Sequence, residues 1–489
     1  MRQLPHAPPA SRLTGSVRSY PLLIIGGGLS GLAAGIRFAR FGQKVLILEK
    51  HSKPGGLNSY YYRKGRLLET GLHAVTNFAS PEDKRAPLNR LLRQLKIPRR
   101  TFNLREQYTS EVLFPGRSSL CFSNDFNMLQ SQVADNFPDS AKQFTALTAE
   151  LDKYDPFIPR PKISAREFVS SFLQNNLLVE MLFCPMMFYG GSDEYDMDLS
   201  QFVILFRSIF QEGFFRPEGT IKDLLDLLVA QYKNFGGELE LSSGVKEVIT
   251  DNNSITGVLT DSGEEISCDC LVSTAGLPET KRLFATPDSA AKFSNLTEAE
   301  SSGRLSFTES IYLLDKPALR KFTENRTIIF FNLSDKFSYR RPDEAVDLNS
   351  GVICFPDNFQ GSQKSDIIQL RVTHLANYDI WRNAYEAEDK SHYKTMKKQW
   401  MEHSKEVVGK IIGNCSKNIV YEDTFTPVTI ERYTSRTQGA VYGSQQKIKD
   451  GKTNFENLYV AGTDQGYLGI VGSLLSGVTM VNQHILNKI

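Results

Sequence analysis

Tryptophan is nearly absent from the sequence, with 2 residues in 489, and the 6 cysteines show no C-x-x-C spacing. Only Cys268 and Cys270 are close to each other, at a distance that would place them on alternate faces of one strand. The common zinc and dithiol motifs are therefore excluded, and we expect no metal site. The cysteines are expected to be reduced, packing thiols of the kind found in the cytoplasm.

An excess of charge of either sign is also missing. Lys and Arg together number 57, and Asp and Glu together number 55. Without a basic field, the composition favours neither a nucleic-acid partner nor a strongly charged substrate. Phe and Tyr, by contrast, are plentiful at 31 and 19, and they can supply the rings of an apolar cavity.

No apolar run is long enough to cross a bilayer. The segment 21–36 resembles a signal anchor, but glycines break it and Arg37 follows, so it falls short of the roughly 20 apolar residues that a span requires. We therefore predict a cytoplasmic chain without a span. Residues 1–20 are predicted to form a flexible extension.

A strand, a glycine turn and a helix are predicted at the start of the folded chain. The apolar run Leu22–Ile25 leads into the sequence G-G-G-L-S-G at 26–31 and then into a helical stretch that ends near Phe41. This order of elements is typical of a unit that binds a dinucleotide.

Each residue of the turn has an expected role in such a unit. Gly26 permits the tight turn, Gly28 leaves room for a pyrophosphate, and Gly31 allows the helix to pack closely on the strand. The N-terminus of the helix then faces the phosphates. Leu29 and Ser30, in its first turn, are predicted cofactor contacts.

The second predicted strand, at 44–48, ends in Glu49. The carboxylate of Glu49 can accept hydrogen bonds from both ribose hydroxyls of an adenosine, and an acid at this position disfavours the 2'-phosphate of NADP. The neighbouring Lys50 is included among the predicted cofactor contacts.

A glycine pair, Gly55 and Gly56, follows and would bring backbone amides to the same pyrophosphate from a second side. Leu57, the next residue, is also a predicted cofactor contact. This arrangement resembles the FAD enzymes of the amine oxidase and carotenoid desaturase superfamily. The resemblance implies an α/β fold with a Rossmann-type, glutathione-reductase-like FAD-binding domain and an inserted α+β substrate domain.

Another buried strand and glycine turn, at 457–466, lie near the end of the chain and precede a helix. The resemblance implies that this turn contacts FAD and that the helix directs its first amides toward the flavin pyrimidine ring, where negative charge grows on reduction. The residues concerned are Gly462, Thr463, Asp464, Gly469, Ile470 and Val471. The resemblance also implies that the backbone of Val245 contacts the adenine.

The same resemblance suggests how the chain is divided. The FAD-binding domain is predicted at 21–80, 216–290 and 430–489, and the substrate-binding domain at 81–215 and 291–429. The segment 81–215 has a helical pattern rich in Phe, Leu and Met. Its aromatic stretch Phe183–Tyr189 either lines a substrate tunnel or is an ordinary core cluster.

Within the superfamily, the sequence most resembles phytoene desaturases, carotenoid isomerases and retinol saturases. Thr463 stands where amine oxidases place an acid, which favours the carotenoid branch. Leu57 stands where many relatives have Arg or Lys, so one charged partner of the phosphate is missing. The terminal motif contains no cysteine, so the FAD is expected to be held without a covalent bond.

One histidine is a candidate for proton transfer. The segment Leu67–His73 resembles the loop that passes beside the isoalloxazine ring in these enzymes. His73 is therefore a candidate catalytic residue, or else a core histidine that only donates and accepts hydrogen bonds.

The resemblance implies an FAD-dependent oxidoreductase that desaturates, saturates or isomerises an apolar isoprenoid or carotenoid-like substrate by hydride exchange at flavin N5. An amine or porphyrinogen-type flavin oxidase is the alternative, and a redox-silent FAD binder is a third hypothesis. Peripheral contact with a membrane would give access to a lipid-soluble substrate. The Lys-rich stretch at 394–405 is either a basic face for that contact or a solvated helix.

Overall fold

The computed structural model describes residues 18–315, 323, 325–362 and 366–488. Most of the predicted N-terminal extension, residues 1–17, lies outside the described residues. Arg18–Tyr20, however, form a strand, so the prediction of a flexible extension is wrong for these three residues.

Strands occur throughout the described ranges. In chain order they are β1 Arg18–Tyr20, β2 Leu22–Ile25, β3 Val45–Glu49, β4 Tyr60–Arg63, β5 Arg66–Glu69, β6 Arg105–Glu106, β7 Thr109–Phe114, β8 Ser118–Phe122, β9 Phe215–Arg216, β10 Glu238–Leu241, β11 Val245–Asp251, β12 Ser254–Thr260, β13 Glu265–Cys268, β14 Leu271–Ser273, β15 Ser306–Asp315, β16 Arg326–Asn332, β17 Ser350–Cys354, β18 Ile367–Ala376, β19 Ile419–Phe425 and β20 Leu458–Val460.

Helices occupy the intervening segments. The described α-helices are α1 Leu29–Ala39, α2 Pro87–Leu95, α3 Phe126–Asn136, α4 Ala141–Lys153, α5 Ala165–Phe172, α6 Asn176–Gly190, α7 Leu199–Phe206, α8 Ile221–Asn234, α9 Leu277–Lys281, α10 Pro287–Phe293, α11 Glu298–Ser301, α12 Tyr378–Glu386, α13 Lys390–Ile412, α14 Pro427–Thr434 and α15 Gly469–Met480.

A five-stranded parallel sheet with the order β10-β3-β2-β14-β20 forms the centre of one half of the molecule. The first strands are continuous apolar runs because helices cover both faces of a parallel sheet. Strands from both ends of the chain lie in this one sheet, since β2 and β20 both pair with β14. The Rossmann-type prediction is thereby confirmed.

A four-stranded sheet with the order β1-β13-β12-β11 lies beside the parallel sheet. Cys268 ends β13, whereas Cys270 lies in the connection to β14. The expectation that these two cysteines share one strand is therefore wrong. Both are buried, in different apolar clusters.

The other half of the molecule is built on a seven-stranded sheet with the order β19-β15-β18-β17-β16-β7-β8. The two segments predicted for the substrate domain therefore meet in one sheet. The purely helical expectation for 81–215 is wrong, because β7 and β8 lie within it and β7 pairs with β16. These strands were hidden by a sequence window dominated by helical periodicity.

Helices cover both faces of this larger sheet. Helices α3 to α7 share an apolar core with one face, and α13 packs its apolar side on the other. Helix α2 lies in the predicted substrate segment but packs with α1 and α15 in the other half, so that boundary falls later than predicted. Within the described ranges, no helix combines the length and apolar character needed to cross a bilayer.

Candidate active site

The first glycine turn has the geometry that its sequence predicts. Gly26 has a φ of +102°, and a Cβ built there would lie 2.4 Å from Oγ1 of Thr274. A Cβ on Gly31 would lie 2.0 Å from the carbonyl oxygen of Gly26, so helix and turn are in tight contact. Gly28 differs, because the nearest atom to its added Cβ is the carbonyl oxygen of Gly55 at 3.9 Å. The space above Gly28 is thus left for a ligand.

The two helices predicted to face the cofactor begin without a side-chain cap. Gly28 precedes α1 and Leu468 precedes α15, and neither supplies a capping side chain. Helix α3, for comparison, is capped by the carboxylate of Asp125. Uncapped N-terminal amides carry partial positive charge and suit an anionic ligand. Leu29 and Ser30 lie in the first turn of α1, and their contacts with the cofactor stay a prediction.

Glu49 is fixed beside the glycine turn. Its Oε2 accepts a hydrogen bond from the amide of Gly27 at 2.6 Å, and its Oε1 accepts one from the amide of His51 at 2.7 Å. Each carboxylate oxygen can accept a further hydrogen bond. The side chain is therefore held in position to receive the ribose hydroxyls, and this contact stays a prediction.

The other adenosine-side residues lie next to Glu49. The amide of Ser243 donates to the carbonyl oxygen of Glu49 at 2.9 Å. A Cβ on Gly244 would lie 3.2 Å from Cγ of Lys50. Val245, which begins β11, is thus brought to the same side of the sheet as Lys50.

The second glycine pair packs against the first turn. The amide of Gly55 donates to the carbonyl oxygen of Gly27 at 2.9 Å, so it is not available to a phosphate, and the predicted amide contact is wrong for Gly55. Gly56 has a φ of +58°, and its added Cβ would lie 3.7 Å from Cα of Gly28. Gly56 and Leu57 remain the predicted contacts on this side.

The end of the chain reaches the same place. A Cβ on Gly462 would lie 3.3 Å from Oγ of Ser30, and one on Gly477 would lie 2.0 Å from the carbonyl oxygen of Ser30. Helix α15 therefore crosses α1 in direct contact. Gly469 is exposed at the start of α15, and its added Cβ would lie 4.0 Å from Oγ1 of Thr76. The two distant glycine motifs thus form one cradle.

Ile470 and Val471 follow in the first turn of α15. Their side chains are buried in the apolar core around α1. Any contact that they make with a flavin must therefore come from their backbone amides, as the helix-terminus prediction requires.

The side chain of Asp464 has a structural role that the sequence analysis did not predict. Its carboxylate is fully buried and accepts hydrogen bonds from the amides of Leu277 and Ser444, each at 2.7 Å. Arg436 lies 3.3 Å from the same carboxylate and donates to Oγ1 of Thr463 at 2.7 Å. This side chain joins three segments beneath the cradle, so the predicted contact of Asp464 with the cofactor would have to come from its backbone.

A buried charged cluster faces the cradle from the seven-stranded sheet. Arg371 on β18 is paired with Glu309 on the adjacent strand β15. The other carboxylate oxygen of Glu309 lies 2.9 Å from Nε2 of His73. Thr373 lies beside them, with its hydroxyl 3.4 Å from the same imidazole nitrogen. The sheet thus contributes the immediate surroundings of the candidate catalytic histidine.

A second ion pair fixes the loop that carries His73. Arg216 pairs with Glu69 at 2.6 Å and donates to the carbonyl oxygen of Leu72 at 2.6 Å. Arg371 donates to the same carbonyl oxygen at 2.9 Å. The backbone next to His73 is therefore held by two guanidinium groups, one from β9 and one from β18.

The cluster keeps His73 neutral. Burial, followed by the charge of Arg371, lowers the pKa of His73, although Glu309 acts in the opposite direction. Burial would raise the pKa of Glu309, but Arg371 and His73 outweigh it and hold that pKa below its usual value. A neutral imidazole beside an ionised carboxylate must carry its proton on Nε2. Its Nδ1 is then left as a proton acceptor.

An aromatic wall continues from this cluster across the same face of the sheet. Glu309, Thr373, Val352 and Phe330 are successive cross-strand partners, so they form one row. The ring of Tyr189, at the end of α6, lies 5.6 Å from that of Phe330. His73, Thr373 and Tyr189 are only partly buried although they lie between layers. The partly exposed surface of these three side chains defines the candidate substrate cleft.

Further rings extend the wall. Tyr189 lies 5.0 Å from Phe214, and Phe307 lies 5.9 Å from Tyr442. Within the described part of the chain, the buried hydroxyl of Tyr189 has no hydrogen-bond partner. The aromatic stretch Phe183–Tyr189 is thus divided, because its first residues are core and its last lines the cleft.

Sequence reasoning missed Glu309, Arg371 and Arg216. One signal was present: Glu309 and Arg371 are charged residues inside otherwise apolar or neutral strands, where an unpaired charge would be costly. Their pairing joins positions 62 residues apart, so no local motif could identify them. In the described ranges, no group of three or more His, Cys, Asp or Glu side chains is placed to hold a metal.

Comparison with known proteins agrees with this geometry. All-trans-retinol 13,14-reductase from Danio rerio is 22% identical over 95% of this chain and 86% of its own length. The 4,4'-diaponeurosporene oxygenase of Staphylococcus haemolyticus is 23% identical over 96% of each chain. The crystal structure of an oxidoreductase from Methanosarcina mazei has the same fold, with a TM-score of 0.65 at 17% identity over 94% of this chain and 100% of that one.

The profile of the flavin containing amine oxidoreductases matches residues 29–483, which include helix α1, the second glycine motif and the charged cluster. FAD is accordingly the cofactor for which the cradle is built. The chain belongs to the flavin containing amine oxidoreductase family.

Proposed function

We propose that this FAD-dependent oxidoreductase acts on an apolar isoprenoid or retinoid, which it desaturates, saturates or isomerises. The aromatic wall beside the cradle carries this proposal. A planar polyene can lie against such rings without leaving polar groups unpaired. The names of the retinol reductase and diaponeurosporene oxygenase relatives point to the same substrate class.

The charged cluster also favours an uncharged substrate. A cationic amine would need a free carboxylate in the cleft, but Glu309 is already paired with Arg371 and His73. This pairing argues against the amine oxidase alternative.

Bound FAD supplies hydride transfer at its N5 atom. The residues of the chain supply binding and proton handling. The ring of Tyr189, which packs on the buried rings of Phe214 and Phe330, orients the substrate and excludes water from the cleft. We propose that Nδ1 of His73 accepts or returns the proton that accompanies hydride transfer, while Glu309 holds the opposite ring nitrogen.

The experiment follows the flavin absorbance of the purified protein under anaerobic conditions. All-trans-retinol and phytoene are added to the oxidised protein, and all-trans-retinol is added to the dithionite-reduced protein. The proposal expects flavin reduction or reoxidation by at least one polyene, with a product identified by chromatography. Putrescine and protoporphyrinogen are the comparison substrates.

Two results would contradict the proposal. Flavin reduction by putrescine or protoporphyrinogen alone, with release of peroxide, would establish an oxidase of the alternative class. A bound flavin that responds to none of these compounds in either direction would favour the redox-silent binder.

A further inference from the structure

Three polar side chains form a line from a partly buried carboxylate to the start of α15. The side-chain nitrogen of Asn77 donates a hydrogen bond to Oε2 of Glu212 at 2.7 Å, and the hydroxyl of Thr76 donates to Oδ1 of Asn77 at 2.9 Å. A Cβ built on Gly469 would lie 4.0 Å from Oγ1 of Thr76. We call Glu212, Asn77 and Thr76 the amide relay, since the amide of Asn77 connects its two ends.

The relay belongs to the loop that carries His73. This loop leaves the charged cluster at His73 and reaches the start of α15 at Thr76, so it connects the two parts of the candidate active site. Asn77 has a φ of +68°, a left-handed conformation that asparagine adopts more readily than most residues. Its backbone amide donates to the carbonyl oxygen of Ser208 at 3.1 Å. The loop is thereby fixed to the segment that carries Glu212.

Glu212 follows an unusual stretch of helix. Residues Arg207–Gln211 form a π-helical turn directly after α7, and the amide of Glu212 donates to the carbonyl oxygen of Arg207 at 2.8 Å. Turns of this kind are rare and frequently lie at functional sites. The carboxylate end of the relay therefore has a fixed backbone beneath it.

The other end of the relay faces the place predicted for the flavin ring. Gly469 is exposed and Thr76 is partly exposed, whereas the next residue of α15, Ile470, is buried. The first amides of α15 have no side-chain cap and are the predicted partners of the flavin pyrimidine. The hydroxyl of Thr76 lies beside these amides, and a hydroxyl can accept a hydrogen bond or donate one.

The charge of Glu212 sets the direction of each hydrogen bond in the relay. An ionised carboxylate only accepts, so it holds the NH2 group of Asn77, and the amide oxygen takes the proton of Thr76. Thr76 then presents only lone pairs to the flavin site. A protonated Glu212 instead donates its O–H to the amide oxygen of Asn77, once the amide has turned over. The NH2 group then faces Thr76, whose own proton is free to point into the flavin site.

The surroundings of Glu212 allow its charge to change near neutral pH. Burial raises the pKa of Glu212 to about 7, and the nearby carboxylate of Asp83 acts in the same direction. The hydrogen bond from Asn77 and the charge of Arg207 act in the opposite direction. The guanidinium of Arg207 is directed toward α4, where it donates to the carbonyl oxygen of Tyr154 at 2.7 Å. Both protonation states are therefore accessible to the relay.

We propose that Glu212 is a positioning residue for the flavin, which through Asn77 makes Thr76 a hydrogen-bond donor to the pyrimidine edge when protonated and an acceptor when ionised. Reduction places negative charge on that edge, so a donor there stabilises the reduced ring and an acceptor opposes it. Glu212 therefore takes up one proton from solvent, onto a carboxylate oxygen, in addition to any proton that the ring takes up with its two electrons. The proposal depends on the cofactor of the family and not on the substrate.

The test is the midpoint potential of the full-length, FAD-loaded protein, determined against a reference dye during reduction by dithionite from pH 5 to 8. One extra proton per two electrons changes the equilibrium constant for reduction by a further tenfold per pH unit, about 30 mV. We expect this additional slope in the native protein where Glu212 changes its charge, and its loss in Glu212→Gln. Glu218→Gln is the matched control and should keep the native slope, because Glu218 is 41% exposed and paired with Arg105.

Substitutions at Thr76 separate the relay from a simple effect of charge. Thr76→Val removes the hydroxyl and leaves the carboxylate in place, so we expect the additional slope to disappear while the infrared band of the Glu212 carboxyl still titrates. Thr76→Ser keeps a hydroxyl and is expected to keep the slope. Asn77→Gly, which suits the left-handed backbone, is expected to behave like Thr76→Val.

Two outcomes would overturn the proposal. An additional slope that survives in Thr76→Val would assign the effect to the charge of Glu212 acting through space. A native protein without the additional slope would make the carboxylate a structural group only. Failure of every polyene to react would leave the potentials unchanged, because dithionite supplies the electrons, so the proposed function and this proposal can fail separately.

Discussion

The glycine cradle and the charged cluster face one cleft but are built by different means. The cradle is made of backbone, with contacts such as Gly31 against Gly26 that require the absence of a side chain. The cluster is made of long side chains, Arg371, Glu309 and Arg216, that reach across strands. A backbone site tolerates little added volume, whereas a side-chain site tolerates little loss of a partner.

The cluster is expected to be the more fragile of the two. Replacing Arg371 with Met leaves Glu309 buried without its cation, and we expect the free energy of unfolding to fall by roughly 3–5 kcal/mol. Urea unfolding of the purified variant measures this. Arg382→Met is the control, because Arg382 pairs with Glu386 at the surface, 39% exposed, and should cost less than about 1 kcal/mol. A loss of less than about 1 kcal/mol at Arg371 would contradict the comparison.

The cradle is expected to fail in ligand binding before it fails in stability. Gly28→Ala adds a methyl group where the structure has space but the pyrophosphate is predicted to lie. We expect the Kd for FAD to rise roughly a hundredfold, about 2.7 kcal/mol, and the stability of the apoprotein to change by less than about 1 kcal/mol. Flavin fluorescence titration and urea unfolding measure the two effects. Gly31→Ala should both weaken FAD binding and lower the stability of the apoprotein, since its Cβ would lie 2.0 Å from a carbonyl oxygen.

Two histidines that contact opposite faces of the seven-stranded sheet sharpen the comparison further. His73→Gln is expected to slow flavin turnover with the polyene that proves active about a hundredfold while leaving the Kd for FAD unchanged. His374 lies on the opposite face of β18, where it contacts Ser350 and Ser404, and His374→Gln is expected to affect stability and not turnover. Stopped-flow absorbance measures the rate of flavin turnover in each variant. Equal rates for the two variants would assign His73 a structural role.

The smallest predicted effect depends on pH. Burial raises the pKa of Glu212 to about 7, although a hydrogen bond from Asn77 opposes the shift. Between pH 4.5 and 7 the folded chain therefore keeps a proton that the unfolded chain releases, so stability is full below this window and falls as pH rises through it. We expect Glu212→Gln to remove a loss on the order of 2 kcal/mol across the window. The prediction is wrong if the free energy of unfolding changes with pH in the same way in both proteins from pH 5 to 8.

The sequence predicts the parts of the molecule that depend on local chemistry. The glycine turn at Gly26–Gly31 and its flanking strands β2 and β3 follow from spacing and apolar runs that lie within thirty residues or so. The place of β7 and β8 in the sheet could not be foreseen, because β8 pairs with β7 and β7 pairs with β16, which lies more than two hundred positions away. The structural role of the Asp464 side chain could not be foreseen for the same reason, since its partners Leu277 and Arg436 are brought to it only by the fold.

The contact of Gly477 with Ser30 sets an order of events during synthesis. The first βα unit can form early on the ribosome, but its helix has no partner on this side until α15 emerges. Cofactor capture must therefore wait for translation to pass residue 477, and a nascent chain arrested before that point should carry no flavin.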